Sequence, residues 1–467
     1  MARAERKYGE VHPYWAAGPF KIRLPFIHYR WEMAETIQAL IMFVVAMAMI
    51  PLLEKYLGLP YDVALAYVVV CGIGFMLPNL LGSPFVPGWI TPAIPVVLLF
   101  IGQFEPGPEA IKALVGLQLV VTFIFFFLGI TRLGTKLINL FPSSMKAGIL
   151  LGAGIAAITG EISEGGRLAN TPISLMLGFA VTGYVLFSLS FRDLIEKHRW
   201  AKIISSYGMV PGTLVAMGIG WIVGEYQMPD IQFGLSTPAF AEMWNYLPFS
   251  IGFPGIEILW MAIPTAIIAY IIAFGDIIVG QSLLDRVDHL RPDEKIEVDV
   301  DQVHIITGIR NLMHSLFAPY PGLAGPLFTG AMATIAERYR YGRGAMDTIY
   351  SGAGVFWIVA FIALFMLPLV TLFKPVLPIA LSITLLITGY LCISVAVEQV
   401  DNATSMGVAG TMGVALAVYG AAWGLGVGLA LYLLIEKRSK KALIEHAGEE
   451  PEEPIHIVEK ASDYGNA

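Results

Sequence analysis

Cysteine and charge are both scarce in this chain. Its two cysteines, Cys71 and Cys392, each lie in an apolar stretch, which excludes a disulfide scaffold or a cysteine metal cluster and leaves two buried thiols as the plain expectation. Charged residues make up only 14% of 467, against about 25% in soluble domains. There is no HExxH, no GxSxG and no nucleotide-binding loop. The glycines of 424–428 lack a preceding strand and a following lysine, and His304 and His314 are too isolated to read as a haem or metal pair. An enzyme is therefore not expected, and neither are a cofactor, a metal or a nucleic-acid partner. A cleavable signal is missing as well, because Glu10, Lys21, Arg23 and several prolines interrupt residues 8–30. Tyr14, Trp15, Phe20, Phe26, Tyr29 and Trp31 instead suit a lead-in that meets a membrane interface.

What the chain has in abundance is apolar sequence, 56% of it, enough for about fourteen membrane segments. The most informative run is 256–284. Between Glu257 and Asp276 it holds no charge, and such a run spans a bilayer core of roughly 30 Å. A carboxylate inside a span is costly unless it faces protein, water or a substrate, so Asp276 is the first candidate for a substrate and proton site. Two other segments are broken. Pro78, Pro84, Pro87, Pro92 and Pro95, with Gly82 and Gly88, forbid one continuous helix across 78–101. This predicts an extended lead-in to about Gly88 and a short half-helix from about Ile90. Pro319, Pro321 and Pro326, with Gly322, Gly325 and Gly330, repeat that character, predicting a second half-helix from about Ala324 to Ala336. Irregular backbone at membrane depth is tolerated only against protein or a water-filled cavity.

The remaining spans are expected near 36–53, 63–77, 114–130, 147–159, 172–189, 208–223, 303–317, 352–372, 378–395 and 406–419, with a last one ending at Ile435. The basic clusters at 132–146, 192–202 and 338–343 all follow even-numbered segments, which places both termini in the cytoplasm. The polar link 161–167 is expected at the surface, the connector 285–301 as a solvated face, and the acidic tail as disordered. Gly148 and Gly152 have the spacing of a close helix contact. The breaks fall on the third and tenth segments, the same place in two sets of seven. Paired interrupted helices in two halves point to a transporter site, and a repeat of seven spans must be inverted.

Three stretches carry a resemblance. QALIMFVVAMAMIPLL, RLGTKLINLFPSSMKAGILLGAGI, and AYIIAFGDIIVGQSLL with GIRNLMHSLFAPYPGLAGPLFTGAM resemble the seven-plus-seven inverted-repeat superfamily of nucleobase/ascorbate permeases, sulfate permeases and bicarbonate transporters. The resemblance covers roughly Gln38 to Glu436. It implies an all-α polytopic membrane protein of about 14 transmembrane segments, with short broken segments 3 and 10. The corresponding divisions are a lead-in (1–30), a first repeat (31–225), an extracytoplasmic connection (226–250), a second repeat (251–436) and a tail (437–467). Segments 1–4 and 8–11 would form a substrate-carrying core, and segments 5–7 and 12–14 a gate that dimerises.

The resemblance further implies a secondary active transporter of a nucleobase-like heterocycle or small anion, working by alternating access in a prokaryotic cytoplasmic membrane. The partners would be the solute with a proton, or alternatively sodium, together with lipid and a second copy. The alternative is an anion channel or exchanger of the sulfate/bicarbonate type. The implied substrate-binding residues are Asp276, Ser83, Phe85, Thr91, Gly322, Ala324, Gly325, Leu327, Phe328 and Thr329, with Asp276 and Glu398 as proton-coupling acids. The second carboxylate that nucleobase members carry at the start of the tenth segment is replaced here by AGPLFTG.

Overall fold

A computed structural model describes residues 6–437 except 135, 137–140, 165, 206 and 208. The acidic tail beyond Lys437 lies outside the described residues. The chain begins with a small hairpin, β1 (Trp15–Ala17) and β2 (Phe20–Ile22). Helices α1 (Met33–Met47), α2 (Ile50–Leu57) and α3 (Tyr61–Leu80) follow. Pro51 separates α1 from α2, because it lacks an N–H and its ring clashes with the turn before it. The first broken segment is β3 (Gly88–Trp89), a single 3-10 turn at Thr91–Ala93, and α4 (Ile94–Ile101). Then come α5 (Pro108–Thr131), α6 (Ser143–Ile162), α7 (Pro172–Phe187), α8 (Leu189–Lys197), α9 (Arg199–Ser205) and α10 (Val210–Val223).

The second half opens with α11 (Ile256–Asp288) and α12 (Val300–Phe317). The second broken segment is β4 (Ala324–Gly325) with α13 (Thr329–Tyr339). It is followed by α14 (Ile349–Ala363), α15 (Leu367–Phe373), α16 (Leu377–Glu398), α17 (Ala403–Tyr419) and α18 (Ala421–Leu431). Among the described residues six helices are long and apolar enough to cross a membrane, or up to eight if each bent pair is one span, and four shorter apolar helices accompany them. α12 belongs to neither group, because His304, Arg310, Asn311 and His314 dilute its apolar residues.

Two sets of helices pack among themselves. α1, α3, α5, α11, α12, α13 and α14 form one, and α6, α7, α10, α16, α17 and α18 the other. Within the second set Gly148 and Gly152 lie against Met412 and Leu416 of α17. That glycine pair is spent inside the chain, so it offers no support for a contact between copies.

Four expectations need correction. The lead-in is not merely an interfacial segment but a folded cap. Arg23 is fully buried, with its guanidinium 3.8 Å from the Tyr350 ring. Lys21 N–H and Arg23 N–H donate to the Leu81 and Leu80 carbonyls at the end of α3, and Tyr29 is buried against α14. The connector 285–301 is not a solvated face either. Arg291 and Glu294 are buried, Arg6 pairs with Asp293 and Glu294, and Lys21 pairs with Glu297. The link 161–167 is at the surface only in part, since Ile162, Ser163 and Glu164 are exposed while Glu161 turns inward, paired with Arg167 and accepting from Ser382 Oγ at 2.6 Å. Finally, the second half-helix does not begin near Ala324, whereas the first broken segment is extended to Trp89 and turns helical from Thr91, close to the expected Ile90. The residues around Gly88 and Ala324 are extended and paired, and the second half-helix starts at Thr329.

Candidate functional site

The two broken segments meet each other. β3 and β4 pair antiparallel, Gly88 opposite Gly325 and Trp89 opposite Ala324. Beyond the pair, Phe328 N–H donates to the Val86 carbonyl at 2.7 Å, and Ile90 N–H reaches the Gly322 and Leu323 carbonyls at 3.1 Å. The prolines explain the extended backbone. Pro84, Pro87 and Pro326 fix their own φ and push the preceding residue out of the helical region. The glycines explain the closeness. A Cβ on Gly88 would meet the Leu327 carbonyl at 2.7 Å, and one on Gly325 would meet the Trp89 backbone at 2.6 Å. Leu323 takes φ +38°, in the left-handed region, which is rare for a bulky side chain and marks local strain.

One edge of this pair is held by α12. Arg310 Nη1 donates to the Gly325 carbonyl at 2.6 Å, and Nη2 to the Gly88 carbonyl at 3.0 Å. Asn311 Nδ2 donates to the Ala324 carbonyl at 2.9 Å, while Ala324 N–H donates back to Asn311 Oδ1 at 2.9 Å. Thr307, Arg310, Asn311 and His314 are all buried and share one face of the helix by their spacing of three and four. From α5, Gln118 Nε2 donates to the Tyr320 carbonyl at 3.2 Å. The Tyr320 hydroxyl donates to the Ala46 carbonyl at 3.0 Å, next to the α1–α2 break. Around the pair, the Phe75 ring stacks on Trp357 at 4.1 Å and lies 5.8 Å from Trp89. These brace residues were missed in the sequence as site residues, although their polar stripe on a membrane helix was visible.

Asp276 sits on α11 about 14 Å along the axis from Asp285, at the rise of 1.5 Å per residue. The uncharged run from Glu257 to Asp276 is about 29 Å long, so Asp276 lies in the half of the helix nearer Asp285. It is half-buried, and among the described residues no hydrogen bond or ion pair reaches it. Its surroundings join the two sets of helices, because α11 packs against α6 and α18 and lies close to Cys392 of α16. One turn along α11, bare Gly280 admits the Phe85 ring to within 2.9 Å of where a Cβ would be. α11 also packs against Thr91–Ala93, α4 and α13. α4 and α13 both begin just after the strand pair, so the N–H-rich positive ends of two helices lie beside it.

The structure thus brings Phe85, Thr91, Gly322, Ala324, Gly325, Leu327 and Phe328 to the crossing of the broken segments. Ser83 is buried in the preceding loop, where its Oγ accepts from Phe85 N–H at 3.3 Å. Thr329 is exposed on the first turn of α13. Glu398 is exposed on the last turn of α16 and shares none of these contacts. Among the described residues no cluster of His, Cys, Asp and Glu could hold a metal ion.

The model of the Permease family, labelled for xanthine and uracil permeases, matches residues 32–324. No curated protein matches the sequence. Among solved structures the chain is similar to the overall structure of SLC26A9, with TM-score 0.54 and 16% identity over 86% of this chain and 64% of that one. It is also similar to the murine Slc26a9 anion transporter in the inward-facing state, with TM-score 0.51 and 14% identity over 88% of this chain and 69% of that one. The transmembrane domain of a cyanobacterial bicarbonate transporter, BicA, follows at TM-score 0.49 and 14% identity, over 85% of this chain and 97% of that one. At these identities the likeness to the first two is one of fold, the seven-plus-seven inverted repeat.

Proposed function

The chain belongs to the Permease family, and from that premise we propose that it is a proton-coupled symporter of a small polar solute, working by alternating access. It is a multi-pass membrane transporter of small solutes, not an enzyme. The observation that carries the finer reading is Asp276, a carboxylate within the apolar helix α11 that is unpaired among the described residues, set beside two paired broken segments and near a helix of the other set. A carboxylate there is expensive to keep charged and changes charge when it binds a proton. Sodium is the alternative coupling ion, since a carboxylate and backbone carbonyls are hard oxygen ligands.

In this reading the set containing α1, α3, α5 and α11–α14 is the core, segments 1–4 and 8–11. The set containing α6, α7, α10 and α16–α18 is the gate, segments 5–7 and 12–14. The core shifts against the gate and carries the strand pair with it. The basic clusters near Arg132, Arg192 and Arg338 support an orientation with both termini in the cytoplasm, and the prokaryotic cytoplasmic membrane is part of the same reading. The lead-in cap then lies on the inner face, and residues 226–250 cross the outer face. A homodimer through the gate rests on the family resemblance alone.

The solute is a nucleobase-like heterocycle or a small anion. The test is uptake into proteoliposomes with and without an inward pH gradient, after a thermal-shift screen of purines, pyrimidines, dicarboxylates, sulfate and bicarbonate. Gradient-driven accumulation that Asp276→Asn abolishes while the protein stays folded supports the reading. Flux that only dissipates a solute gradient would move it to the anion channel or exchanger, which the buried cation Arg310 favours.

A further inference from the structure

The core holds two charged groups far from any helix end, and they do not meet. Arg310 is fully buried on α12, its two terminal nitrogens on the Gly325 and Gly88 carbonyls and its Nε without a partner. Among the described residues no carboxylate comes within ion-pair distance of it. Cys71 of α3 and His314 of its own helix are ionisable groups close enough to feel its charge. Asp276, on α11, is likewise unpaired; Cys392 of α16 is close enough to feel its charge, and His304 of α12 meets α11 at Tyr270, 3.0 Å away.

The charged groups of the other helices packed on α11 lie towards their ends. They are Glu109 and Lys112 on α5, Lys146 and the Arg167-paired Glu161 on α6, and Glu337 and Arg338 on α13. The remaining charges of the core are terminal as well, Glu35 being paired with Arg338. Among the described residues, and with the buried His304 and His314 neutral, the membrane interior of the core therefore carries one permanent positive charge and one titratable negative one.

We propose that the solute is a monoanion, carried with one proton, and that Arg310 is the residue that selects its charge. This rests on the proton-coupled reading of Asp276. With Asp276 ionised and the site empty, Arg310 and Asp276 sum to zero. With Asp276 protonated and a monoanion bound, Arg310 and the solute again sum to zero. Both forms cross with no net charge in the apolar layer, where an unbalanced charge is costly. The two half-loaded forms carry a net charge, +1 with the proton alone and −1 with the anion alone, and are held back. This couples solute to proton one to one without any further gate. A neutral solute would leave the protonated, loaded core at +1, and a dianion would leave it at −1.

Donor chemistry points the same way. Trp89 Nε1 and Trp357 Nε1 are buried N–H groups without acceptors, on rings that pack against Phe75. The guanidinium of Arg310 lies 5.1 Å from that same ring. The surroundings of the strand pair are thus rich in unspent donors and poor in carboxylates, which suits an acceptor-only, negatively charged ligand.

The experiment uses the full-length wild-type chain in proteoliposomes with an inward proton gradient, and the membrane potential clamped by valinomycin and potassium. The probes are nitrate, gluconate and urate as monoanions, sulfate and succinate as dianions, and uracil as the neutral solute. The expected result is that a monoanion accumulates and that its accumulation is the same under a tenfold potassium gradient in either direction. A change of about tenfold on imposing that gradient would mean a net charge moves with the solute and would overturn the proposal. So would accumulation of uracil, or of a dianion, in place of every monoanion, and so would the failure of all three monoanions. Uracil uptake that still needs the pH gradient and Asp276 defeats this inference while leaving the proton-coupled reading standing. Solute uptake that ignores the pH gradient defeats both. Arg310→Gln should cut monoanion uptake at least tenfold, whereas Arg310→Lys, which keeps the charge and loses the fork, should retain part of it. If Arg310→Gln does not fold, the potential test on the wild type decides alone.

Discussion

Asn311 is the residue whose loss should show most directly how the broken segments are held. It satisfies both backbone groups of Ala324, the N–H through Oδ1 and the carbonyl through Nδ2, each at 2.9 Å and each buried. Asn311→Ala leaves both without a side-chain partner at a place shielded from water. An orphaned buried polar group costs about 1–3 kcal/mol, so two cost about 2–6 kcal/mol, less whatever a water recovers. Arg310 and the pairing of β3 with β4 remain, so the segments should loosen rather than separate. The expected outcome is a clearly lowered melting temperature in detergent and solute binding weakened more than tenfold.

The control is Asn402→Ala. Asn402 caps α17 with a 2.8 Å bond to Ser405 N–H at an exposed end, worth about 1 kcal/mol, and its loss should leave binding untouched. Equal effects of the two substitutions, or none from Asn311→Ala, would refute the idea that α12 braces the site.

The lead-in cap should show opposed pH dependences. Burial holds His12 down near 4, with Arg6 and Arg23 adding to it, and burial pushes Glu294 up to about 7 despite Arg6, Thr348 and Arg291. The contribution of His12 to docking is full above pH 6.5 and is lost as pH falls through 4, while that of Glu294 is full below 4.5 and is lost as pH rises through 7. His12→Gln should therefore leave a cap that loosens as pH rises, and Glu294→Gln one that loosens as pH falls, read by hydrogen exchange at the Lys21 and Arg23 amides. The same slope in both variants would contradict these assignments. Gly212→Ala should sharply reduce folded yield, because the new methyl overlaps Thr182 Oγ1 and the Gly178 carbonyl where α10 meets α7, whereas Gly218→Ala, with open space around it, should not.

Much of this architecture is legible in one sequence, and the reasons are local. Prolines at 84, 87, 319, 321 and 326 forbid continuous helices wherever they fall, so the broken segments are visible without a partner. What they pair with is not visible, since Gly88 and Gly325 are hundreds of residues apart and either extended stretch could have run into a half-helix. Pro326 hinted at the true boundary by excluding Gly325 from the helical region, and the second half-helix accordingly starts at Thr329. The stripe Thr307, Arg310, Asn311 and His314 was readable as one polar face, but its acceptors are main-chain carbonyls, which every residue has.

The fold of the lead-in is not legible in the sequence, because aromatic residues suit a membrane interface and a folded cap equally well. Only tertiary contacts, Arg23 on Tyr350 and the hairpin on Leu80 and Leu81, decide between them. Glu161 was similarly placed at the surface by its polar neighbours, while Ser382 and Arg167 give it partners inside.

The central claim is that Asp276 exchanges a proton in step with the solute, and the direct measurement is proton flux. Proteoliposomes loaded with a pH indicator and clamped at zero potential receive a solute identified by thermal shift, with no pH gradient imposed. The account predicts that the solute drags protons inward, one for each molecule taken up, and that Asp276→Asn abolishes this movement while still binding the solute and melting as a folded protein. Solute uptake by the wild type without proton movement, or undiminished proton movement in the Asn variant, would contradict it.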